Sequence, residues 1–151
     1  MSWQPSRTEI EHLLRLAMDE AERAAEAGDH PYGAIIVDPA GTVVATGRNR
    51  VNSDVDPTSH AETNAIRAAC RTLGTVSLAG HLLFTNGAPC TMCAVTMLQT
   101  GLRAIWYSAP VSAGRTMPTL EQLAALVANP PSVSQGILAD EASAQLARWE
   151  S

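Results

Sequence analysis

The chain has 151 residues, 46% of them hydrophobic, which suits a single domain, residues 1–151, built on one buried core. Ten basic against fifteen acidic side chains leave a net charge of −5, which weighs against a nucleic-acid partner. No apolar run approaches the roughly 20 residues of a bilayer span, and charged residues recur through the first thirty positions with no secretory leader, so a cytoplasmic protein without membrane contact is expected.

Ser6 and Glu9 have capping-box spacing, and apolar residues from Ile10 to Ala25 recur every three to four positions up to Gly28, which predicts an amphipathic first helix. Gly33 to Val37 and Thr42 to Thr46 are β-branched runs joined by Asp38-Pro39-Ala40-Gly41. They are expected to pair as an antiparallel hairpin, with Asn49 just beyond it. A second helix is predicted from His60 to Leu73, where Gly74 is a stop signal. His81 to Thr85 reads as a buried strand, and Pro89, a favoured first helical residue, opens a third helix at Cys90 and Cys93 that runs to Gly101. Arg103 to Ser108 reads as a fourth strand. Thr119 with Gln122 opens a further amphipathic helix that ends before Pro130-Pro131, a faint strand signal lies within residues 132–138, and a last helix covers Ala139 to Trp149. After the hairpin, strands alternate with helices, which predicts a three-layer α/β/α sandwich around a mixed central sheet.

Three cysteines in a reducing compartment point to metal or redox chemistry for the pair in Cys90-Thr91-Met92-Cys93, whereas Cys70, in the apolar stripe of the second helix, reads as a core residue. Two thiolates and the His60 imidazole, each at a helix start, are suitable zinc ligands, and the positive ends of the helix dipoles favour the thiolate form. Three protein ligands leave one tetrahedral position open, the mark of a catalytic zinc that acidifies a water into a nucleophile. Glu62, two residues after His60, is placed to take a proton from that water without being a ligand. Hydrolytic loss of ammonia from an aminated heteroaromatic ring needs a nucleophile at the amine-bearing carbon and protons on a ring nitrogen and on the departing ammonia. One carboxylate can relay them all. Each residue also has a plainer reading. Ser59 to Glu62 has capping-box spacing, the cysteine pair suits a redox motif, and His30 or His81 would complete a structural zinc site. Cys70 lies about ten helical residues, roughly 15 Å, from His60 and cannot join it.

His60-Ala61-Glu62, followed by Pro89-Cys90-Thr91-Met92-Cys93, resembles the zinc signature of the cytidine and deoxycytidylate deaminase superfamily. The likeness reaches over roughly residues 6–110 and takes in His30-Pro31-Tyr32-Gly33, Gly47-Arg48-Asn49 and Asp56-Pro57-Thr58, which look like the branch of bacterial guanine deaminases and cytosine deaminases. It implies Zn2+ as cofactor and a homodimer or larger oligomer. It also implies that Asn49 and the Ala61 backbone N–H bind the base, with Tyr32 close by. Where that branch commonly carries Glu-Pro-Cys, this chain has Ala88-Pro89-Cys90, so a carboxylate near the site is missing. Without the resemblance, Asn49 is a turn residue and Tyr32, Phe84, Trp106 and Tyr107 are core aromatics. Beyond Pro110 no family pattern aligns, and Glu121, Asp140, Glu141 and Trp149 are the candidates there for reading the base.

The expected function is zinc-dependent hydrolytic deamination of a free nucleobase or related aminated heterocycle, guanine ahead of cytosine. A transfer-RNA adenosine deaminase ranks third, disfavoured by the acidic charge, and a non-catalytic zinc-binding module is the alternative from another class. Retention of Glu62 speaks against that module, since a structural ion needs no proton relay.

Overall fold

A computed structural model describes residues 3–150. The capping box forms as its spacing predicts: Ser6 Oγ accepts from Glu9 N at 3.1 Å and Glu9 Oε1 accepts from Ser6 N at 2.9 Å, opening helix α1, Arg7–Glu26. The hairpin follows as β1 (Gly33–Val37) and β2 (Val43–Arg48), antiparallel, with a register shift between Ile36 and Val37. Then come α2 (Val51–Asp54), α3 (Ala61–Leu73), β3 (Leu82–Gly87), α4 (Thr91–Gln99), β4 (Ala104–Ala109), α5 (Leu120–Ala124), β5 (Ser132–Gln135) and α6 (Ala139–Trp149).

The sheet order is β2-β1-β3-β4-β5. β1 runs antiparallel to β2 and β3, while β3, β4 and β5 are mutually parallel neighbours, which makes the sheet mixed as expected. Its faces are covered separately. Leu13, Leu14 and Ala17 of α1 pack on Ile35, Val37, Leu82 and Phe84, and Ala65 and Ala69 of α3 with Ala94 and Met97 of α4 pack on Ala34, Ile36, Leu83 and Ile105. Ala142 of α6 joins Met18 and Ala109 beside α1. The three-layer α/β/α sandwich explains why β1 and β3 are buried at every position: a strand covered on both faces has no solvent side on which to alternate.

Two glycines set how closely helices meet the sheet. A Cβ on Gly33 would lie 2.1 Å from Ala17 O, and one on Gly47 would lie 2.3 Å from Ala61 O and 2.4 Å from Ala65 N. Without side chains there, α1 and the first turn of α3 rest directly on the hairpin.

The structure shortens one predicted element, adds another and bears out a third. The helix from Thr119 forms its capping box but ends at Ala124, because only Leu120 and Ala124 are buried and Leu126 beyond them is 82% exposed; without an apolar face to bury, the turn does not propagate. The short helix α2 is absent from the predicted elements, and the strand signal in residues 132–138 resolves to β5, paired parallel to β4. Among the described residues, no helix is long and apolar enough to cross a membrane.

Candidate metal centre

His60 and Cys90 are the N-cap residues of α3 and α4, and Cys93 is in the first turn of α4. The strand-to-helix crossovers thus deliver all three to one end of the sheet. One ligand atom from each lies within 4.8 Å of the others, and His60 Nδ1 is 3.4 Å from Cys90 Sγ. Cys93 N donates to Cys90 Sγ at 3.4 Å, an N-cap interaction made by sulfur. His81 turns Nδ1 to the Ala79 carbonyl at 3.1 Å, and neither it nor His30 joins the cluster. Three donors, one nitrogen and two sulfurs at helix starts, fit a zinc ion and leave a fourth position open.

The two thiols share one proton. Cys90 is pushed down to about 4, first by the hydrogen bond with the Cys93 thiol and then by His60, against the penalty of burial. Cys93 moves the opposite way because it retains the shared proton, and burial adds to the rise. Both become thiolates together only beside a cation, and that is the place a metal takes. The hydrogen bond with Cys90 raises His60, with burial opposing it.

Glu62 is not a helix cap. Its helix begins at His60, and Ser59 Oγ donates instead to Asp54 Oδ2 at 2.8 Å. The Glu62 side chain lies inside the site, only 4% exposed. Burial pushes its carboxyl up and the nearby Cys90 charge adds to that, while hydrogen bonds from Cys93 and Thr85 and the charge of His60 pull it back. The Thr85 hydroxyl stands between Glu62 Oε1 at 3.1 Å and the Gly33 carbonyl at 2.9 Å. With one proton and two lone pairs, it can donate to a carboxylate or accept from a carboxylic acid, so the contact survives either state of Glu62.

A cavity of about 310 Å³ opens over the cluster, lined among others by Tyr32, Asn49, Ala61, Glu62 and Ala88. Asn49 is 3% exposed and accepts from Val51 N at 3.1 Å through Oδ1, so its NH2 is the end left for the cavity. Ala61 N–H is the first donor of α3, a position without an intrahelical acceptor. Tyr32 fits against Gly87, where a Cβ would come within 2.8 Å of its ring, and its hydroxyl is pushed up to about 12 by burial and then by the charges of Glu150 and Glu62.

Sequence reasoning missed Arg115, which also lines the cavity. It donates to Pro89 O at 2.8 Å, Pro118 O at 2.9 Å and Thr91 Oγ1 at 3.3 Å, clasping the loop after β4 onto the start of α4. A lone arginine between Gly114 and Thr116 carries no signal in the sequence. The tail candidates lie elsewhere: Glu121 accepts from Tyr107 Oη, Glu141 pairs with Arg15 and Trp149 donates to Glu22, and neither these nor Asp140 line the cavity. Phe84 stacks on Trp106 with centroids 4.7 Å apart, and Cys70 is half-buried against the core, as the plainer readings of both expect.

Fold and cluster together define a zinc-binding domain of deaminase type. Residues 7–109 match the model of the cytidine and deoxycytidylate deaminase zinc-binding region, and the chain belongs to that family. It is 40% identical over 99 residues to a tRNA-specific adenosine deaminase of Aquifex aeolicus (strain VF5), covering 66% of this chain and 65% of that one. To a guanine deaminase of Bacillus subtilis (strain 168) it is 39% identical over 100 residues, covering 66% and 64%. The chain therefore spans just under two thirds of the length of these two relatives. A solved structure from a study of tRNA:A34 deaminases superposes with a TM-score of 0.82 at 33% identity, over 89% of this chain and 99% of that one. The likeness in fold thus extends beyond Pro110.

Proposed function

We propose that the chain is a single deaminase domain, residues 1–151, that hydrolytically deaminates a free nucleobase or related aminated heterocycle, guanine ahead of cytosine. The observation that carries this reading is the cavity of about 310 Å³ over the cluster, whose lining contains one carboxylate, Glu62. Ligand sites run from roughly 300 to 1,000 Å³, and this one is at the size of a single base.

Zinc held by His60, Cys90 and Cys93 would supply the Lewis acidity that lowers the pKa of water. Glu62 does the proton work. Water gives its oxygen to the amine-bearing carbon; one of its protons passes over Glu62 to a ring nitrogen and the other to the amine, the C–N bond breaks, and a ring carbonyl and ammonia remain. Thr85 holds Glu62 in place in both of its states. The Ala61 N–H and the Asn49 NH2 are donors for acceptor atoms of the base, and the Tyr32 ring forms a wall of the cavity.

Charge supports a small substrate. Arg7, Arg15, Arg23, Arg50 and Arg148, half of the ten basic residues, are already paired with carboxylates. Little basic surface is left to track a phosphate backbone. A second reading, deamination of adenosine in transfer RNA, is favoured by the 40% identical relative from Aquifex aeolicus. An assay of ammonia release from guanine, cytosine, adenine and aminated triazines, run beside inosine formation in a transfer-RNA stem-loop, separates the two. Ammonia from guanine is expected; editing of the stem-loop with no ammonia from any free base would replace the first reading by the second. The proposed assembly is a cytoplasmic homodimer, which light scattering reads directly.

A further inference from the structure

Asn49 and His60 bound a segment with little structure of its own. Its helix α2 has four residues and no buried side chain, its N-cap Arg50 makes no side-chain capping bond, and it ends on the β-branched Val55 at φ 51°. One isolated turn does not persist in water, and left-handed backbone is costly for such a residue. Ser59 Oγ and Arg50 Nε donate to Asp54 at the end of α2, at 2.8 and 3.1 Å, but its first turn needs a support of its own.

That support lies 23 residues upstream of Asn52, at Asp29, which is 7% exposed. Its Oδ1 accepts from Asn52 N at 2.9 Å and Ser53 N at 2.8 Å, and its Oδ2 accepts from Ser53 Oγ at 2.5 Å. Asn52 Nδ2 donates to the neighbouring Gly28 carbonyl at 2.9 Å. The remaining first-turn donor, Val51 N, goes to Asn49 Oδ1. Two side chains, neither of them the N-cap residue, therefore divide the orphan donors of this turn between them, Asp29 taking two and Asn49 one.

The two caps depend on each other. If Asp29 is removed, the N–H groups of Asn52 and Ser53 turn to water, the helical turn opens, and Val51 N–H no longer points at Asn49. An amide freed in this way can rotate by half a turn and exchange its donor end for its acceptor end. We propose that Asp29 is a positioning residue: through the first turn of α2 it holds Asn49 with its NH2 toward the cavity, and so makes the site select a heterocycle that presents a hydrogen-bond acceptor there. This rests on the reading of Asn49 as a base contact.

A double-mutant cycle tests it, with Asp29→Ala, Asn49→Ala and the pair, on zinc-loaded protein and guanine, or the stem-loop if that is what the parent turns over. Amide exchange at Val51 is followed in parallel. Asp29→Ala should speed exchange at Val51 and lower kcat/KM about tenfold, mainly through KM, with zinc content unchanged. In the Asn49→Ala background the same change should alter kcat/KM by about twofold or less, since its target is gone. Asp29→Asn, which keeps an acceptor for both N–H groups, should recover most of the loss. Unchanged exchange at Val51 overturns the proposal, and so does a tenfold loss that persists in the Asn49→Ala background. An Asn49→Ala variant that is itself silent refutes the base contact instead, and the Val51 exchange still decides whether Asp29 holds the turn.

Discussion

Gly47→Ala probes how the sheet aims the metal centre. The added Cβ would stand 2.3 Å from Ala61 O and 2.4 Å from Ala65 N, where ordinary contact begins at 3.4 Å. Both neighbours are backbone atoms of one helical turn, so no flexible side chain can yield, and the start of α3 must retreat by about 1 Å, as a body or by breaking that turn. Overpacking of this kind costs typically about 1–3 kcal/mol. For a domain of this size that corresponds to a fall in Tm of roughly 3–10 °C. The displaced end carries His60, Ala61 and Glu62. A misplacement of about 1 Å can cost on the order of 10² in rate, so kcat/KM should fall far more than a modest loss of stability suggests. Thermal unfolding, zinc content and kcat/KM measured on one preparation make the test. Gly114→Ala, where a Cβ meets nothing within 4 Å, is the control and should keep the parent's Tm. If Gly47→Ala matches the parent in both Tm and kcat/KM, the close contact of α3 with β2 does not set the site.

Glu62→Gln should leave zinc content and fold intact and lower turnover by at least about 10²–10⁴, the usual worth of general acid–base help; activity within about tenfold of the parent would leave Glu62 without the proton role. Chelation of the zinc should lower Tm, because binding at a thousandfold excess over Kd contributes about 4 kcal/mol, and an unchanged Tm after complete metal removal would mean that the native fold binds zinc no better than the unfolded chain does. Asp29→Asn should be less stable than the parent at neutral pH. Three backbone and side-chain donors outweigh burial and hold the Asp29 carboxyl below its ordinary 3.8. Its stabilisation is therefore complete above that value and lost as pH falls through the lower folded one, so the gap between the two proteins should close in acid. A gap that stays constant down to the acid limit of folding would assign the effect to shape and not to charge.

The elements legible in the amino-acid sequence are those whose signals are local. The Ser6–Glu9 capping box, the Asp38 to Gly41 turn and the stop at Gly74 lie within a few residues of what they control, and each forms as its spacing predicts. The candidate zinc ligands are legible for a related reason: His60 and the Cys90–Cys93 pair each stand at a helix start, and donor chemistry leaves few other uses for such a set. Spacing does not decide between cap and proton carrier for Glu62, because both readings use the same residues; burial and Thr85, 23 positions away, decide it against the cap.

What only the tertiary structure decided depends on partners distant in the chain. Local propensity holds nothing that would make Val51–Asp54 a helix, since the carboxylate that accepts from Asn52 N and Ser53 N belongs to Asp29, far upstream. The helix from Thr119 begins where its capping box predicts but stops after one turn, because length is set by how much apolar face the rest of the protein covers. Arg115 reaches the cavity only because the loop after β4 folds over the start of α4. Hydrogen bonds between neighbours in sequence are written in residue order, while those that close loops form only once the sheet and its helices have brought their ends together.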